Sequence, residues 1–117
     1  MRRRSSSSVR VFYPRHSQSD VISRVKETVA SLSERIALDE VILFGSYAKN
    51  KHTVGSDIDI FIVFDESRST EDEIYKIIMK AIKLPRVELH ILSNKDYELM
   101  KSSKWIETIM EEGIKIV

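Results

Sequence analysis

Two apolar runs, residues 41–44 and 58–64, constrain this chain more than anything else in it. Both read as buried strands. The segment between them opens on Gly45-Ser46 and closes on Asp57, and Asp59 follows one residue into the second run. A strand alternates its faces, so Asp57 and Asp59 project from the same side. Two carboxylates held side by side repel each other unless a cation sits between them. A Gly-Ser pair at a strand-to-helix turn offers backbone N–H groups and a hydroxyl to an anion. The stretch is therefore expected to hold a metal and a polyphosphate together.

The flanking segments supply the rest of a small fold. Ser17 and Asp20 fit a capping box, and Val21, Ile22, Val25, Val29, Leu32 and Ile36 recur at helical spacing after it. That spacing predicts a helix to residue 36. Residues 47–51 are expected to form a short helix, and 52–56 a loop that turns at Gly55. Ser69/Asp72 and Thr70/Glu73 each offer a cap for a second long helix to about residue 84, with Pro85 as its stop. Residues 86–92 alternate: Val87, Leu89 and Ile91 face one way, Glu88 and His90 the other. This is a third strand. Residues 94–101 and 103–112 read as two helices, Gly113 suits a C′ position, and 114–117 add a last short strand. The order predicts an α/β (α+β) domain: a small mixed sheet of three to five strands with helices packed on one face.

Length and charge narrow the function. The chain has 117 residues, enough for one modest core. Of its 19 basic residues, five arginines fall in residues 1–16, where there is no acid; residues 17–117 hold 14 basic against 18 acidic residues. The expected organisation is a basic, disordered or loosely attached tail over 1–16 and one domain over 17–117. Its first part, residues 1–8, is of low complexity and open to three readings: a nucleic-acid arm, a phosphorylation target, or an accident of the start site. Residues 9–13 could add an edge strand before Pro14. Basic residues are not clustered on the fold, so nucleic acid is not the expected partner of the domain. With no cysteine, a metal must be held by oxygen or imidazole. No apolar run approaches a membrane span, and a cytoplasmic protein is expected.

Magnesium takes one or two carboxylates and completes its shell with water and phosphate oxygens. Asp57 and Asp59 could supply the protein's share, and Glu88 a third carboxylate if its strand lies beside theirs. A third carboxylate there could also take the proton of an attacking hydroxyl. Gly45 lets backbone approach a phosphate, Ser46 adds a hydroxyl, and Lys49 and Lys51 are near enough to neutralise its charge. The alternative for each lysine is a solvated charge. His90 and His52 are expected at the surface, although His90 shares the face of Glu88 and could approach the metal site. Trp105 is expected to pack in the core or against a partner rather than stack on a base, and Tyr47 and Tyr97 to pack at the surface rather than serve as sites of self-modification. By average residue usage, Gly-Ser-x10-Asp-x-Asp arises by chance in roughly one chain in a thousand of this length, so the spacing carries more than either pair.

Residues 44–64 resemble the signature of the nucleotidyltransferase superfamily that includes polymerase β and kanamycin nucleotidyltransferase. Length and spacing are most similar to the minimal nucleotidyltransferases, and the resemblance covers roughly residues 20–117. It implies that Gly45 and Ser46 bind the phosphates of ATP, that Asp57, Asp59 and Glu88 bind two Mg²⁺ ions and carry catalysis, and that Lys49 contacts the nucleotide. Many such proteins are encoded beside a HEPN-type ribonuclease toxin and act as its antitoxin, transferring AMP to a toxin tyrosine. The resemblance thus implies a HEPN-type toxin or another protein acceptor as partner, and a hetero-oligomer with it. No second domain for a small acceptor is evident in the sequence, which fits a protein acceptor. Two departures stand out: Asn50 where the family often has Gly, and Glu88 where it usually has Asp. Two rival functions remain: an antitoxin or interaction protein that neutralises its partner by binding alone, and a nucleic-acid-binding module acting through the arginine-rich tail.

Overall fold

The computed structural model describes residues 16–117. The tail and the edge strand considered for residues 9–13 lie outside them. The elements are α1 (Gln18–Leu32), β1 (Leu38–Phe44), β2 (Ile58–Phe64), α2 (Glu71–Ile82), β3 (Val87–Ser93), α3 (Asn94–Met100), α4 (Lys104–Glu112) and β4 (Ile114–Lys115). Both long helices start at reciprocal caps, which satisfy backbone donors that the first turn leaves without partners. At α1 the Asp20 N–H donates to Ser17 Oγ and the Ser17 N–H to Asp20 Oδ2, each at 3.1 Å. At α2 the cap is Thr70 with Glu73, not Ser69 with Asp72. Both helices stop sooner than their apolar stripes suggest. After Leu32 the N–H groups of Arg35 and Ile36 both return to its carbonyl, closing a turn. α2 ends at Lys83, in left-handed backbone (φ 55°), two residues before the proline.

The sheet has the order β3-β2-β1-β4. β1 runs antiparallel to β2 and β4, and β3 runs parallel to β2, so the sheet is mixed as expected. α2 makes the β2–β3 crossover that a parallel pair requires. Alternation along the strands builds two cores. Val41, Leu43, Ile58, Ile60, Ile62 and Phe64 are buried against Val21, Val25 and Leu32 of α1 and Ile74, Ile78 and Ile82 of α2. Ile42, Phe61 and Val63 point the other way and are buried with Ile106 and Ile109 of α4.

The helices therefore do not keep to one face. α1 and α2 cover one side of the sheet, and α3 and α4 cover part of the other. The reason lies in β2, whose burial is continuous rather than alternating. A strand apolar on both faces needs two covers. Gly113 joins α4 to β4 in extended backbone (φ −78°), not the left-handed form expected of a C′ glycine. A Cβ there would run into Ile42 and the Ile109 carbonyl, so the position needs glycine for space.

Candidate active site

The pairing register decides what stands beside Asp59. β1 sets Phe44 opposite Asp59, and β3 sets Glu88 opposite it on the other side. One row across the sheet thus reads Phe44, Asp59, Glu88. The next row on the same face reads Ile42, Phe61, His90. Ile106 and Ile109 bury the second row at Ile42 and Phe61, while Asp59 and Glu88 remain partly open, with side chains 23% and 60% exposed. This parallel neighbour relation is what a role for Glu88 required.

His90 closes the group. Its Nε2 lies 3.5 Å from Asp59 Oδ1 and 3.4 Å from Glu88 Oε1. The ring is steadied by edge contacts with Phe44 (centroids 5.1 Å apart) and Trp105 (5.9 Å). One ligand atom from each of Asp59, Glu88 and His90 lies within 4.8 Å of the others, a separation that suits a shared cation. The fit is supported by His90 Nε2 itself, which is buried and, for all its closeness to the two carboxylates, makes no hydrogen bond among the described residues.

Asp57 stands apart from these three. Its Oδ1 is 3.1 Å from an Arg86 guanidinium nitrogen. Arg86 has left-handed backbone (φ 56°), and its carbonyl accepts from the Ile58 N–H. The link from α2 to β3 thus delivers a cation to the first acid of the pair.

On the other side of Asp59 is the Gly45 turn. Gly45 has φ 77°, and a Cβ on it would stand 2.5 Å from Asp59 Oδ2. Only glycine combines that backbone with that approach. The segment after it is not the expected short helix. Lys49 N–H bonds back to the Gly45 carbonyl, Asn50 to Tyr47 and Lys51 to Ser46, a series of turns with mixed spacing. Asn50 closes the series with φ 57°, left-handed backbone that Asn tolerates. The N–H groups of Ser46, Tyr47 and Ala48 make no backbone hydrogen bond among the described residues. They are the free donors that an anion would use.

The turn is held from behind. Gln18 Nε2 donates to the carbonyls of Tyr47 (2.9 Å) and Ala48 (3.1 Å). Tyr47 is buried rather than packed at the surface, and His52 stacks on it at 3.9 Å instead of lying free on the surface. Lys49 reaches away from the acids to Glu112 of α4, 3.0 Å from Nζ to Oε1. Phe44, Gly45, Lys49, Trp105, Thr108, Ile109 and Glu112 line a shallow cleft of about 210 Å³ beside the turn.

Three of the proposed residues, Gly45, Asp59 and Glu88, are therefore brought together; Ser46 follows in the turn, and Asp57 and Lys49 are engaged elsewhere. His90 and Gln18 complete the arrangement. His90 was legible as a residue on the face of Glu88 that could approach the metal site, although a surface position was expected. Gln18 carried no local signal, because its partners lie 29 and 30 residues away.

Burial, and then a hydrogen bond shared with Glu88, hold the Asp59 carboxyl above its ordinary value of 3.8, against an opposing pull from His90. A carboxyl raised in this way binds its proton more tightly folded than unfolded. Its contribution to stability is then favourable below the ordinary value and declines as pH rises through the folded pKa. In metal-free protein, Asp59→Asn is expected to raise the urea midpoint at neutral pH. That advantage should shrink on acidification toward pH 4. A constant difference across the series would show that Asp59 is not strained by its site.

Among the described residues, no helix is long and apolar enough to cross a membrane. A family model described as a nucleotidyltransferase domain matches residues 22–116. Among solved structures, the chain is similar to a protein of Sulfolobus solfataricus provisionally described as a nucleotidyltransferase. The two are 21% identical, with a TM-score of 0.54, over 84% of this chain and 80% of the other. At that identity the likeness concerns the fold. Comparison with curated proteins returned no match.

Proposed function

The chain belongs to the nucleotidyltransferase domain family, and from that premise we propose that it transfers AMP from ATP to a protein hydroxyl. We take the acceptor to be a tyrosine of a HEPN-type toxin, which makes the chain an antitoxin. The observation that carries the transfer chemistry is the row of the sheet that sets Asp59 level with Glu88 and against the Gly45 turn. The protein acceptor is supported by the open face of the site and by Leu99, Met100, Trp105 and Met110, which α3 and α4 expose.

In this reading the Gly45 turn and the Ser46 hydroxyl receive phosphate oxygens. Asp59 and Glu88, with Asp57 once it leaves Arg86, would hold two divalent cations, Mg²⁺ or a metal of like charge. Bound there, they would supply positive charge against the triphosphate and the leaving pyrophosphate. The acceptor oxygen bonds to the α-phosphorus, and its proton passes to Glu88. The bond from that phosphorus to the bridging oxygen breaks, and pyrophosphate leaves with the electron pair. Lys49 can join only by giving up Glu112.

A second reading is favoured by the same internal pairs. With Asp57 held by Arg86 and Lys49 by Glu112, the chain could neutralise its partner by binding alone. Incubation with ATP labelled at the α-phosphate, Mg²⁺ and the candidate toxin separates the two. Label on the toxin that disappears with Asp57→Asn is the result expected of transfer. No label, together with full neutralisation by that variant, would overturn it.

A further inference from the structure

We propose that Asp59, Glu88 and His90 form a site for a divalent transition-metal ion in preference to magnesium, with His90 Nε2 as a direct ligand. The proposal deepens the reading of this row as the cation site of the reaction, and it rests on that reading.

The donor set is the first reason. Magnesium prefers a shell of hard oxygens and gives up water reluctantly, whereas imidazole nitrogen is a ligand of transition metals. Asp59 and Glu88 offer two carboxylates, and the third corner is a nitrogen, all within 4.8 Å. The nitrogen's surroundings are the second reason. Nε2 is buried without a hydrogen bond, between carboxylate oxygens at 3.4 and 3.5 Å. A buried polar atom with no partner is costly. A cation shared with the two carboxylates would remove that cost. The ring is also held ready: Phe44 and Trp105 fix its edges, so little freedom is lost on binding. Finally, the carboxylate that would have made an all-oxygen set is turned elsewhere, since Asp57 pairs with Arg86 at 3.1 Å. Any second ion, carried in by the triphosphate and resting on Asp59 and on Asp57 once it leaves Arg86, would still meet oxygen alone. The two cation positions would then be chemically unequal.

Mn²⁺ is the probe, because it accepts mixed oxygen and nitrogen donors and is paramagnetic. The test is made on the full chain without ATP or acceptor. Wild-type protein is expected to bind one Mn²⁺ more tightly than Mg²⁺ in competition titrations. Pulsed electron paramagnetic resonance of the bound ion should show the hyperfine coupling of a histidine nitrogen. His90→Gln keeps a polar side chain of similar length but replaces the imidazole. It should remove the coupling and lower Mn²⁺ affinity by at least about tenfold, the lower end of what outer-shell changes alone cost. Mg²⁺ affinity should change far less.

Wild-type protein without nitrogen coupling, or with equal affinity for the two ions, would overturn the proposal even if the variant failed to fold. That result would leave His90 as a charge partner of the two acids alone. The metal measurements and the label-transfer assay fail separately. Nitrogen-coupled Mn²⁺ with no labelled acceptor keeps the site and removes the transfer reading. Label transfer supported by Mg²⁺, with no nitrogen coupling, does the reverse.

Discussion

Asp59→Asn should reduce nucleotidyl transfer by roughly 100- to 1,000-fold, the scale on which loss of one electrostatic contact to a developing charge is felt. The substitution keeps the shape of the side chain and removes its charge. Asp59 occupies the centre of the row: Phe44 and Glu88 flank it, His90 approaches it diagonally, and Gly45 packs on its carboxylate. Among the described residues, no neighbouring acid can take its place without giving up another contact, because Asp57 is paired with Arg86 and Glu88 is already in the group. The variant should also be at least as stable as wild type without metal, since its carboxyl is raised by burial. Lost activity in a folded, undiminished protein would place the effect in the chemistry. A drop of less than about tenfold would remove Asp59 from the centre of the site.

Gly45→Ala should damage both stability and activity. The left-handed backbone at φ 77° costs an L-residue about 1–2 kcal/mol. The new Cβ would also stand 2.5 Å from Asp59 Oδ2 and 3.4 Å from Asp59 Cγ, so the carboxylate or the turn must move. A displacement of about 1 Å at a reacting centre is worth on the order of 100-fold in rate. Denaturant midpoints and label transfer would report the two effects separately. Ser46→Ala is the natural comparison, because it removes one hydroxyl and no space. Its expected loss is about tenfold or less, the worth of one hydrogen bond. If Gly45→Ala were no worse than Ser46→Ala, the close packing of turn and carboxylate would have no part in catalysis.

The contrast between these residues shows how much of the site could be read in advance. Gly45, Asp59 and Glu88 were visible because each belongs to a strand or to the turn that ends one. Strand period and chain spacing carry that information locally. Glu88 needed one further fact, that β3 lies parallel to β2 in a register that makes it level with Asp59. Lys49 was expected in a short helix and stands in a series of turns, and its direction was not legible. Glu112, the group that claims it, comes from a helix 63 residues later in the chain. The turn around residues 47–51 read as a helix although Asn50 suits a left-handed close, because the grip of Gln18 comes from a distant segment that the local pattern does not report.

What the amino-acid sequence by itself determined is the set of elements and the chemistry carried at their ends: two capped helices, the strands, a glycine-serine turn, and acids on a known face. These follow from periodicity and capping, which are properties of neighbouring residues. The tertiary structure alone decided which of those groups meet. Register set Asp59 beside Glu88 and His90, the link before β3 gave Asp57 to Arg86, α4 took Lys49, and the second apolar face of β2 required a second cover of helices. Those outcomes depend on how distant segments dock. Docking is governed by the burial of whole faces, not by the pattern of any one segment.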